Sequence, residues 1–147
     1  MSATDVQNLR EQTGAGVMDC KKALDEAKGD FDQAKKILDE KGIAKADKKA
    51  SRETGAAILE AYIHNNRVGV LLELRMETDF VGKSDPVKEF AHDLALHIAA
   101  MAPKDVENLM SQPFVKDQSK TIEETLKGVI AKVGENMKIE RFERYVV

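Results

Sequence analysis

Cys20 stands beside Asp19 and the pair Lys21–Lys22, an electropositive setting that could lower a thiol's pKa and make it a nucleophile. The same residue keeps three- and four-residue spacing with Val17, Ala23 and Leu24, and on a helix that spacing points to a buried, inert thiol. Gly14 and Gly16 would suit a phosphate-cradling loop. No Gly-Lys-Ser/Thr follows after four residues and no strand precedes them, so a helix-ending loop is the better reading. His92 and His97 are five apart and project from different faces of a helix; His97 reads as a core or interface residue, and His64, beside Asn65-Asn66, as solvated. Glu73, Glu77 and Asp79 form an acidic series, yet Glu73 and Glu77 merely follow the polar alternation of a strand. One cysteine and three scattered histidines make no metal site. No catalytic constellation and no cofactor motif emerges, and the chain reads as something other than an enzyme.

Two features resist a purely structural account. Phe80 lies in the polar stretch Glu77-Thr78-Asp79-Phe80-Val81-Gly82, where a strand ends. It either folds back onto the core or stands out as a rigid aromatic wedge for another protein. Val17 and Met18 follow a glycine loop in a region whose only aromatic is Phe31. That pair suits a small apolar contact patch, although Val17 also fits a core position.

The elements that must position these residues are readable from period and caps. Thr4 with Gln7 is a capping-box start for a first helix, with Val6 and Leu9 on its apolar stripe, and Thr13–Gly16 breaks it. A second helix runs from about Val17 to Ala27. A third, capped by Asp30 with Gln33, buries Ala34, Ile37 and Leu38 before Gly42 ends it. Helices this short must pack together to be stable. Lys41 to Glu53 is polar, with Lys41, Lys45, Lys48, Lys49 and Arg52 outnumbering Asp47 and Glu53, and reads as an exposed helical connector.

After Gly55 the period changes to two. Ala56–His64 and Arg67–Glu77 form a hairpin about Asn65-Asn66, with Val68, Val70, Leu72, Leu74 and Met76 on its buried face. Asp85-Pro86 opens a helix to about Ala102, lined by Phe90, Leu94, His97, Ile98 and Met101. A short helix follows near Val106–Ser111. Thr121 with Glu124 caps another, faced by Ile122, Leu126, Val129, Ile130 and Val133 and ended by Gly134, and Met137–Val147 is a last strand beside the hairpin. The fold class is α+β: a three-helix unit over residues 1–52, including the basic connector, then an α+β core over 53–147.

Composition bounds the function. The formal charge of -3 on 147 residues gives no general polyanion signature. No apolar run reaches membrane-spanning length, and MSATDVQNLREQ lacks the layout of a signal peptide. A lone cysteine suits a reducing compartment. The expectation is a cytoplasmic protein with no direct nucleic-acid or membrane partner.

At the two odd places the sequence strongly resembles elongation factor Ts, the guanine-nucleotide exchange factor for elongation factor Tu. Leu9-Arg10 and Thr13-Gly14-Ala15-Gly16-Val17-Met18-Asp19-Cys20-Lys21-Lys22-Ala23-Leu24 match its N-terminal signature. Arg67–Leu74 followed by Glu77-Thr78-Asp79-Phe80-Val81 matches its core signature, and Ile130–Asn136 with Arg141-Phe142 its C-terminal segment. The resemblance implies that the three helices form a ubiquitin-associated-like domain, in which Arg10, Val17, Met18 and Lys21 dock on the GTPase's nucleotide domain. It implies that Thr78, Asp79, Phe80 and Val81 form a wedge near the magnesium and phosphate site, with no metal or cofactor of the factor's own. Where the family has methionine this chain has Val17, and where it often has Asn-Cys this chain has Arg75-Met76. Long members carry a second copy of the core half and an inserted coiled coil, absent here. The chain resembles the short members, which pair as homodimers, and a dimer interface on the sheet or the Ala91–Ala102 helix is expected. A rival reading is a passive ribosome- or chaperone-associated module that uses the basic connector; a small enzyme built on Cys20 is a second.

Overall fold

The computed structural model describes residues 2–147. Three helices come first: α1 (Ala3–Thr13), α2 (Val17–Glu26) and α3 (Phe31–Lys49). The hairpin β1 (Ala56–His64) and β2 (Val68–Met76) leads into a single turn, α4 (Asp79–Gly82), and then α5 (Asp85–Met101). The remainder is α6 (Val106–Ser111), β3 (Pro113–Phe114), β4 (Asp117–Thr121), α7 (Ile122–Val133) and β5 (Met137–Val146). The architecture is α+β, as the change of period after Gly55 implies.

The main sheet has the order β1-β2-β5 and is antiparallel throughout. Asn65 and Asn66 both adopt positive φ, 51° and 58°, the backbone that a two-residue hairpin matching strand twist demands. Val70, Leu72, Leu74 and Met76 are buried along one face of β2. Against that face pack Phe90, Leu94 and Ile98 of α5 and Leu126 and Ile130 of α7, which together make the larger core. A second, smaller cluster joins Leu9, Cys20, Ala23, Leu24, Ala27, Ala34, Ile37 and Leu38 of the first three helices.

Several boundaries differ from the sequence reading. The cap of α1 is Ser2, whose side chain accepts from Asp5 N–H while Asp5 answers with a reciprocal bond, so the box starts two residues earlier than Thr4–Gln7. Gly42 does not end α3; the helix continues through it to Lys49. Packing overrides the weak propensity of a lone glycine here, because α7 lies alongside. A Cβ on Gly42 would sit 3.5 Å from Ala131 Cβ. The connector is accordingly only partly exposed, and Ala46 is 3% exposed within the larger core. Met101 is not on the lining face of α5 but 46% exposed. The short β3–β4 hairpin and the α4 turn do not follow from the sequence pattern, since elements of two to five residues are too short to carry a period.

Glu73 is the clearest departure. It occupies a polar position of the alternation, yet it is 7% exposed. Arg141 Nε donates to one of its carboxylate oxygens and Arg75 Nε to the other, each at 2.9 Å. The Arg141 bond, aided by the charge of both guanidiniums, holds the Glu73 carboxyl below the usual carboxylate range. A bulge between Glu73 and Leu74 in the β2–β5 register lies beside this pairing.

Candidate functional site

Thr78 ends the β2 segment in extended backbone and caps α4, its hydroxyl oxygen accepting from Val81 N–H. That cap stops the strand and turns the chain through one helical turn. Val81 is 8% exposed and joins the larger core, so it roots the turn. Gly82 permits the close seat, because a Cβ there would meet Ile58 Cγ2 at 2.9 Å. With Val81 inward, Phe80 points away: it is 83% exposed. Of the two dispositions open to Phe80, folding onto the core is therefore not adopted. The Asp79 carboxylate forms no hydrogen bond or ion pair among the described residues.

The turn after α7 braces this one. Glu135 accepts from Thr78 N–H at 2.9 Å through one oxygen and from the Thr78 hydroxyl at 2.7 Å through the other. Asn136 is buried, and its backbone N–H donates to Glu77 at 2.8 Å. Its side-chain amide donates to the carbonyls of Arg52 at 2.8 Å and Ala50 at 3.4 Å, just past the end of α3. Periodicity showed none of this. The only signal was that Ile130–Asn136 matched a family segment without an assigned role.

The second patch lies at the front. Arg10, Val17 and Lys21 line one open groove between α1 and the start of α2, together with Val6 and Gly14. Met18 stands next to it, 61% exposed, and Val17 is 47% exposed. Gly14 closes α1 at φ +70°, and the Lys132 side chain of α7 packs where its Cβ would be. Arg10, Val17, Met18 and Lys21 are thus neighbours, whereas Thr78, Asp79, Phe80 and Val81 belong to a separate turn. Cys20 is buried within the smaller core, its sulfur 3.7 Å from the Ala15 carbonyl oxygen.

Three of the five basic residues of the connector are paired within the chain. Lys45 bonds Asp19 at 2.7 Å, Lys41 lies 3.5 Å from Glu26, and Arg52 lies 3.5 Å from Glu77. The Lys45 bond is also what holds the Asp19 carboxyl below its usual range. No group of His, Cys, Asp and Glu suited to a metal ion occurs among the described residues. Nor is any described helix long and apolar enough to cross a membrane.

The family model for elongation factor Ts matches residues 27–108 and 77–147. An elongation factor Ts of Thermosipho melanesiensis is 38% identical over 193 aligned positions, covering 100% of this chain and 98% of the relative. The chain belongs to the elongation factor Ts family. That membership makes it a translation elongation factor by descent. The elongation factor Ts of Fervidobacterium nodosum is 40% identical over 190 positions, covering 98% of this chain and 96% of its own. A chloroplastic polyprotein of EF-Ts from Oryza sativa subsp. indica is 37% identical over 193 positions, covering 100% of this chain and 17% of the polyprotein. Alignments of 193 positions against a chain of 147 residues leave these family members with segments that have no counterpart here. The residues of the front groove precede the stretch matched by the elongation factor Ts model but lie within the alignment to the Thermosipho relative.

Proposed function

We propose that this chain is a guanine-nucleotide exchange factor for elongation factor Tu, acting by a wedge and an anchor and catalysing no covalent step. The observation that carries the reading is Phe80: a large aromatic, 83% exposed, on a turn rooted by Val81 and pinned at its cap. An aromatic left in water on a rigid support is what a partner's pocket takes up. Residues 1–52, a ubiquitin-associated-like unit, supply the anchor through Arg10, Val17, Met18 and Lys21. Residues 53–147 supply the wedge, Thr78 to Val81.

The physical requirement is modest. Nucleotide held with magnesium leaves slowly because many contacts break together. A factor that binds best when the phosphate site is distorted lowers nucleotide affinity by the same factor that nucleotide lowers its own. Full burial of Phe80 contributes roughly 1.5–3 kcal/mol, about one to two decades in an equilibrium constant. The anchor must supply the remainder. Pairing of Lys41, Lys45 and Arg52 within the chain works against the rival in which the connector binds ribosomal RNA.

We place the homodimer contact on the open face of the sheet. Leu59 and Ile63 of β1, Leu71 of β2 and Tyr145 of β5 are 65%, 63%, 49% and 73% exposed there, opposite the face that holds the core. Four large apolar side chains on one sheet face are more than scattered surface residues. The Glu73–Arg141 pair neutralises its own charge in their midst, so a second copy can stack on the face by two-fold symmetry. Sedimentation should give twice the chain mass, and Leu59→Lys with Ile63→Lys should give the monomer; a wild-type monomer at micromolar concentration would remove this contact.

The exchange reading is tested by stopped-flow release of fluorescent GDP from elongation factor Tu. Acceleration that rises with factor concentration and saturates supports it. Detectable binding with no acceleration overturns it and leaves a passive docking module.

A further inference from the structure

The turn Gly134-Glu135-Asn136 touches three things at once, and none of these contacts is needed to end α7. Gly134 alone does that, in left-handed backbone with its N–H on the Ile130 carbonyl. Glu135 instead grips the cap of the Phe80 turn with both carboxylate oxygens. Asn136 holds the carbonyls of Ala50 and Arg52, where α3 has just ended, and through its backbone N–H the Glu77 carboxylate beside Thr78. Arg52 reaches the same Glu77 oxygen at 3.5 Å. The residues gripped are separated in sequence by more than twenty positions and belong to the two patches' supports: α3 enters the smaller cluster at Ala34–Leu38, and Thr78 caps the turn that carries Phe80.

We propose that Glu135 and Asn136 are positioning residues that lock the Phe80 turn to the end of α3, so that docking through the front groove delivers the wedge in one orientation. The inference rests on the exchange reading above and adds to it the residues that set the wedge. Two features of α7 make the lock stiff. Its Ala131 lies against Gly42 of α3, and Lys127 pairs with Asp47 of α3 at 2.9 Å. Just ahead of α7, Lys120 of β4 bonds Asp39 of α3 at 3.1 Å. α7 is therefore packed on α3 between Gly42 and Asp47, and the turn at its end links that packing to Thr78. A side chain that contributes orientation acts on the step where the wedge enters, not on the docking that precedes it.

Glu135 is half-buried and bonds no core group, so its removal leaves the fold intact. Glu135→Ala should lower the saturating rate of GDP release about tenfold, the loss of two charge-assisted hydrogen bonds, while the half-saturating concentration stays within about twofold of wild type. Glu135→Gln, which keeps one acceptor for Thr78 N–H, should recover part of the rate. In a Phe80→Ala background, Glu135→Ala should have no further effect, because there is no wedge left to orient. Asn136→Ala should act in the same direction, with thermal unfolding recorded beside it. A wild-type saturating rate in Glu135→Ala overturns the proposal, as does a loss that adds in full to that of Phe80→Ala. Failure of the exchange reading is distinguishable, because the wild-type chain itself would then not accelerate release.

Discussion

The two buried clusters are made of different stock. The front one is walled by Leu9, Leu24, Ile37 and Leu38 and filled with Cys20, Ala23, Ala27 and Ala34. The rear one stacks Leu72, Leu74 and Met76 of the sheet on Phe90, Leu94 and Ile98 of α5. Small side chains let three short helices approach closely, but they remove little apolar area from water, and area is what stabilises a core. The front cluster therefore depends on α3, a single helix whose first half lies in one core and whose Ala46 lies in the other. The difference teaches why the exposed apolar residues fall where they do. Val17 and Met18 stay outside the front cluster, whereas Phe80 is turned out of a cluster that takes its neighbour Val81 instead.

The largest effect that can break this comparison is a cavity in either core. Leu74→Ala and Leu24→Ala should each cost about 2–5 kcal/mol in urea unfolding. If α3 joins the clusters as described, both substitutions shift one shared transition; two separated transitions would show that the front helices unfold alone. Next comes Phe80→Ala, which should cut saturating GDP release by about 10- to 100-fold. It should leave the unfolding midpoint unchanged, since the side chain is 83% exposed. A lowered midpoint with normal exchange would place Phe80 in the fold rather than in a partner.

Acid should act on the rear core, where His97 packs. His97 is fully buried, stacked on Phe114, accepting from Val115 N–H through Nδ1 and facing Gln112 Oε1 through Nε2 at 2.8 Å. Burial lowers its pKa, and the Gln112 bond only partly offsets that. A histidine whose folded pKa lies below its unfolded value binds more protons when unfolded. Its contribution is thus fully present above about pH 6.5 and is lost as pH falls through the folded value. Thermal unfolding followed from pH 7.5 to 5 should show the midpoint fall, and His97→Gln should flatten that slope. The smallest effect is at the seam between the clusters. Gly42→Ala places a methyl at ordinary contact distance from Ala131 and should stabilise α3 by up to about 1 kcal/mol. Exchange should be unchanged; a loss of exchange would mean that Gly42 works as a hinge and that the seam is not stiff.

Much of this was legible in the residue pattern. The hairpin, its Asn65-Asn66 turn, the Thr121–Glu124 capping box and the burial of Val70, Leu72, Leu74 and Met76 each follow from a local rule, so no distant contact was needed to read them. The site was legible only as far as its exposed tips. Phe80 and Met18 stood out because an apolar residue in a polar stretch breaks a pattern, but the bracing of Thr78 by Glu135 spans 57 residues and leaves no mark in any window. Glu73 misled for the same reason: its alternation is that of a solvent-facing residue, and its pairing with Arg141, 68 residues on, comes from strand order.

The sequence by itself determined where the longer helices and strands lie, most of the faces they bury and which family the chain resembles, because period, caps and motif spacing act within a few residues. Only the tertiary structure decided that α3 runs through Gly42 into both cores, that Val81 turns in and Phe80 out, and that the turn after α7 braces the turn that carries Phe80. Those outcomes depend on which distant surface a residue meets, and a one-dimensional pattern records the residue but not the surface.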